Sequence, residues 1–171
     1  MTDRKLFGTN TLVNDFTTTL TKTETLDGDW VTKYIDKTTG HQWLKYVVDD
    51  RGFFVNLILI SPPPTTDELI EIAFNTNYSD EVSAAATRLN IEEKSEKKEY
   101  RQKLIDRLQL IDASKIDGAE KQRIKTIIIA AQLTDRVNKR EIVGKHLSEI
   151  QADGNFFNSV ADIAENILKL L

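Results

Sequence analysis

Residues 53–69 read Phe-Phe-Val-Asn-Leu-Ile-Leu-Ile-Ser-Pro-Pro-Pro-Thr-Thr-Asp-Glu-Leu. All three prolines of the chain fall at 62–64. Proline fixes φ and removes a backbone donor, so this run ends one element and stiffens a connector. Upstream, residues 53–60 are apolar on both faces apart from Asn56, the pattern of a central strand covered on both sides. Downstream, Thr65 and Glu68 stand at capping-box spacing, and Asp67 and Glu68 suit the positive end of a helix. Leu69, Ile70, Ile72 and Ala73 then form a short apolar stripe. The change from period two to helical period therefore falls at the proline run.

Towards the N-terminus, residues 30–35 and 42–48 are rich in β-branched and aromatic side chains. The five residues Asp36-Lys37-Thr38-Thr39-Gly40 separate them, with a glycine free to take positive φ. Asp49-Asp50-Arg51-Gly52 makes the next turn. Residues 12–20, dense in threonine, read as a fourth strand. The expectation for residues 1–61 is an antiparallel meander of three to four strands.

Towards the C-terminus, five further helices follow the one opened by Thr65. Ser79-Asp80-Glu81 starts the first of these, with Val82, Ala85, Ala86 and Leu89 at helical spacing. The next covers about 97–110, and Gly118-Ala119 leads into one centred on Ile124, Ile127 and Ile128. Residues 139–151 carry Ile142, Val143, His146, Leu147 and Ile150, with Asp153-Gly154 as the stop. The last spans about 157–170. Strands followed by helices give an α+β fold: a meander over 1–61 and a helical array over 62–171, packed as one unit.

The chain has 171 residues, no cysteine, two histidines and a formal net charge of −4. Zero cysteines exclude a disulfide scaffold, a thiolate metal site and a cysteine nucleophile. The acidic balance argues against a generic nucleic-acid binder. Fully apolar runs such as 57–60 and 127–131 are far too short to span a bilayer and no early apolar run follows Met1, so neither a membrane span nor a signal peptide is expected. The expected compartment is the cytoplasm.

Two stretches resemble known families. Residues 79–89, with Asp80, Val82, Ala86 and Leu89, resemble part of a HEAT-type helical repeat, departing from it at Ser83. A second alanine-rich stretch at 128–133 follows 44 positions after 84–89. HEAT-like modules are binding scaffolds, so this resemblance implies recognition. Residues 36–46 resemble the turn-Gly-x-x-Trp-x-x-Tyr stretch of small bacterial immunity proteins, which neutralise a toxin by direct binding. The pattern departs after Tyr46, where the expected proline and later glycines are missing.

Catalytic signals are sparse. A zinc site would need His41, His146 and carboxylates; His146 and Glu149 stand i, i+3, but one such pair falls short of a site. Asp27-Gly28-Asp29 lacks the further ligands of an EF-hand loop and reads as a turn. No Gly-x-Ser-x-Gly elbow or phosphate-binding glycine loop occurs. No cofactor, metal or catalytic residue is assigned. The aromatic set Trp30, Tyr34, Trp43, Tyr46, Phe53 and Phe54 is denser than a small sheet can bury. Trp and Tyr favour interfaces because an apolar body carries a polar tip.

These observations lead to a non-catalytic protein-binding module, most specifically an immunity protein that occludes the active site of a basic, nuclease-type toxin. Trp30, Tyr34, Trp43 and Tyr46 are the expected anchors, with Asp49, Asp50 and Arg51 as rim. The expected state is a monomer or weak dimer. One alternative is a small hydrolase with a cleft between sheet and helices, using His41, His146, Asp49 or Glu149. Another is an adaptor that self-associates through residues 163–171.

Overall fold

A computed structural model describes residues 3–49 and 52–171, with Asp29 described by its backbone alone. The elements run β1 (Leu6–Phe7), α1 (Asn10–Thr17), β2 (Thr21–Leu26), β3 (Val31–Ile35), β4 (Gln42–Val47) and β5 (Val55–Leu59). Five helices follow: α2 (Thr66–Asn75), α3 (Ser79–Glu96), α4 (Arg101–Gln109), α5 (Gly118–Ala130) and α6 (Leu147–Leu170). The strands form one antiparallel sheet in the order β1-β5-β4-β3-β2. The expected α+β architecture is present.

β5 is paired on both sides and covered on both faces, as its composition requires. Leu57 and Leu59 pack with Phe7, Val13 and Trp43 beneath α1. Ile58 joins Leu6 and Tyr46 in the larger core, which continues through Leu69, Leu89, Leu104, Ile127 and Val160 of the helices. The larger core therefore draws on both sides of the proline run. Within the helical part α3 packs on α2 and α5, and α4 packs on α6.

Helix α2 opens where the sequence placed it. The Thr65 hydroxyl accepts from Glu68 N–H at 3.2 Å and the Glu68 carboxylate accepts from Thr65 N–H at 2.8 Å. The acids at the start of α3 do more than favour its N-terminus. Glu81, 4% exposed, accepts the backbone N–H groups of Lys5 and Leu6 at 3.2 and 3.3 Å. Asp80 accepts Gly8 N–H at 3.0 Å and pairs with Arg4 at 2.5 Å. The outer edge of the sheet at β1 is thus closed by two helix carboxylates rather than by another strand.

Three expectations need correction. Residues 12–20 are not a strand: 10–17 form α1, because Val13 and Phe16 share a helical face that packs on Phe7 and Trp43. The additional strands are the two edge strands, the two-residue β1 and β2, whose Thr-Lys-Thr-Glu-Thr-Leu sequence carries little apolar signal because it lies on a sheet edge. The helix expected over 97–110 begins at Arg101, since α3 runs on to Glu96 and Lys97 ends it in the left-handed region at φ 57°. Residues 139–151 are not a separate helix. Glu141 accepts the N–H groups of Ile142 and Val143, Gly144 takes φ 81°, and Arg140 and Lys145 both bind Asp153. Those contacts hold 139–146 outside the helix, and α6 runs unbroken from Leu147 through Gly154. Of the 44-residue offset, 84–89 lies within α3, while 128–133 spans the end of α5 and the turn beyond it.

Candidate protein-docking surface

The aromatic set divides by register. β4 alternates, so Trp43 and Tyr46 face opposite sides of the sheet. Trp43 is 3% exposed, with its ring edge-on to Phe16 at 5.0 Å. Tyr46 is 6% exposed and lies beneath α3, 5.7 Å from the Arg88 guanidinium; burial pushes its hydroxyl pKa up. Neither is available as a surface anchor: both were expected at the interface, and helices cover both faces at these positions. Tyr34 is half-buried against the α1-side cluster, and the same desolvation raises its pKa. Trp30 remains accessible at 45%.

Two residues outside the expected site join Trp30. Phe53 and Phe54 precede β5 instead of starting it, and each is 64% exposed. The backbone explains why they gather at one end of the sheet. Val47 N–H donates to the Trp30 carbonyl at 3.1 Å, and Val48 N–H donates to the Phe54 carbonyl at 3.0 Å. Gly52, at φ 73°, lies under the Trp30 ring: a Cβ there would stand 3.9 Å from it. Asn10, at the start of α1, donates from its side-chain amide to the Phe53 carbonyl at 2.6 Å and accepts Val55 N–H at 3.0 Å. Asp49 Oδ1 accepts Phe54 N–H at 2.8 Å, so this expected rim acid shapes the loop that presents the rings. Asp50 and Arg51 lie outside the described residues.

A ring of this class carries about 150–250 Å² of surface, so the stated exposures leave roughly 300 Å² of aromatic surface here. A patch of a few hundred Å² is the size at which an exposed apolar surface marks an interaction site. It amounts to over a third of the ~800 Å² that one partner buries in a standard interface. Leu26, 38% exposed, ends β2 at the same end of the sheet, next to the turn that carries Asp27.

The residues proposed for an enzymatic alternative are not assembled. His41 lies on the β3–β4 turn and Asp49 at the far end of β4, separated by a six-residue strand of about 20 Å. His146 precedes α6, where its N–H donates to Glu149 at 2.8 Å: the pair forms a helix start rather than two arms of an ion site. Among the described residues, no group of three or more His, Asp or Glu could hold a metal ion. Among the same residues, no helix is long and apolar enough to cross a membrane. Comparison with protein-family models, curated proteins and solved structures returns no match.

Proposed function

We propose that this protein is a non-catalytic binding module whose sheet end, bearing Trp30, Phe53 and Phe54, docks on a partner protein. The observation that carries the reading is the grouping of these three exposed rings on hydrogen-bonded loops. Rings held in place lose little side-chain entropy on binding, and a few central aromatics supply most of an interface's energy. The more specific form is an immunity protein that covers the active site of a basic toxin of the nuclease type. The described loops at this end carry the carboxylates of Asp27 and Asp49, which would steer a cationic partner.

The test is affinity capture from the source cell, followed by assay of the captured partner with and without the purified protein. Trp30→Ala and Phe53→Ser/Phe54→Ser change exposed side chains, so the fold should survive. One stoichiometric partner, inhibited by the wild type and released by both variants, is the expected result. A partner retained equally by the variants would refute the docking surface. A partner whose activity is unaffected would refute inhibition while leaving binding in place.

A further inference from the structure

A separate cavity of about 120 Å³ lies where the end of α3, the start of α4, the 139–140 segment and the Phe156–Phe157 pair of α6 meet. Its wall carries six cations, Lys97, Lys98, Arg101, Lys103, Lys139 and Arg140, against two carboxylates, Glu93 and Glu99. Among the lining residues the cations outnumber the carboxylates by four. Further carboxylates pair with these cations from outside the cavity wall: Glu92 and Glu96 hold Lys98, Asp67 holds Lys103, Asp135 holds Lys139, and Asp153 holds Arg140.

The floor is rigid. Arg101 is 1% exposed, chelates Glu93 at 2.8–3.0 Å and donates to the carbonyls of Gln132 and Asp135. Its guanidinium lies 4.8 Å from the Phe157 ring centre, and that of Arg140 lies 4.4 Å from Phe156. Lys97, whose ammonium donates to the Lys139 carbonyl at 3.3 Å and feels the Glu141 carboxylate at longer range, supplies the cation least committed to a carboxylate. The first turn of α4 on the same wall contains no acid and no side-chain cap, so it adds to the positive field. The volume is below the ~300–1,000 Å³ of a drug-sized ligand site, which excludes a nucleotide and leaves room for one tetrahedral oxyanion.

We propose that this cavity binds a phosphate group, supplied either as inorganic phosphate or as a phosphorylated side chain of another protein. The fit is one of charge and size: lysine and arginine side chains line a partly enclosed space that matches a compact dianion.

The test titrates inorganic phosphate, and separately O-phosphoserine, into the full chain at constant ionic strength, following backbone amide chemical shifts. Lys97→Gly removes the freest cation at a left-handed position where glycine fits, so this variant should fold at least as stably. Lys121→Ala on α5 serves as control. Expected are saturable shifts at Gln102 and Lys103, affinity lowered about five- to tenfold in Lys97→Gly, and no change in the control. Tighter binding of phosphoserine assigns the group to a phosphorylated protein, and tighter binding of inorganic phosphate assigns it to the free anion. Shifts that fail to saturate, or equal affinity in Lys97→Gly, would overturn the proposal.

Discussion

Removing the Glu81 carboxylate tests whether the β1 edge is held by a side chain. Glu81 Oε1 accepts two backbone N–H groups of β1 and its flank, and Oε2 accepts the Thr76 hydroxyl at 2.5 Å. Leu6 is fully buried, so its N–H finds no water if the carboxylate goes. A hydrogen bond to a charged group is worth about 1.5–3 kcal/mol, and an orphaned buried donor costs a similar amount. With the Lys5 bond at a part-exposed site counted low, Glu81→Ala should cost about 3–5 kcal/mol. For a chain of this length that corresponds to a Tm lowered by roughly 10 °C. Glu81→Gln keeps an oxygen for the two N–H groups and loses the charge, so it should cost about 1–2 kcal/mol. Urea unfolding of both variants, with amide exchange at Leu6, measures this. A loss below about 1 kcal/mol in Glu81→Ala, or a larger loss in Glu81→Gln, would refute the account.

Gly8→Ala would place a Cβ 2.3 Å from the Asp80 carbonyl oxygen and 3.1 Å from Ala84 Cβ, so backbone must move. We expect a loss near the ~3 kcal/mol upper end for overpacking, read from a thermal melt; an unchanged Tm would contradict the close approach of the β1–α1 turn to α3. Arg101→Met should cost about 3–5 kcal/mol because Glu93 is left buried without its partner. Arg101→Met/Glu93→Leu should recover part of that in urea unfolding, and a double variant weaker than the single would be inconsistent with the charge as the cause. Lys145, and then Arg140, hold the Asp153 carboxyl below the usual range. A lowered folded pKa gives stability that is present above the unfolded value of ~3.9 and is lost as pH falls below it. Asp153→Asn should therefore melt below the wild type at neutral pH, with the gap closing towards pH ~3, and a gap constant across that range would count against the bridge.

Local chemistry determined much of this protein. The proline run, the capping box at Thr65 and Glu68, and the apolar continuity of 53–60 depend on neighbours within a few residues. The structure keeps the helix start and the doubly covered strand they imply. The acids at 80–81 were legible as a helix start; their hold on β1 was not, because the two are more than 70 residues apart in sequence. Residues 12–20 misled because threonine content argues for strand, whereas the spacing of Val13 and Phe16 matters only once Phe7 and Trp43 are there to receive them. In the same way, 139–151 has a helical stripe, but Asp153 draws Arg140 and Lys145 into a loop.

The sequence also marked 30–54 as rich in aromatic side chains, and alternation correctly put Trp43 and Tyr46 on opposite faces. Which rings reach solvent was a tertiary decision. It depended on α1 covering one face, the helical array covering the other, and the loop hydrogen bonds at Asp49 and Asn10 that turn Phe53 and Phe54 outward. Burial is set by what packs above a residue, and for this sheet both covers come from segments distant in the chain.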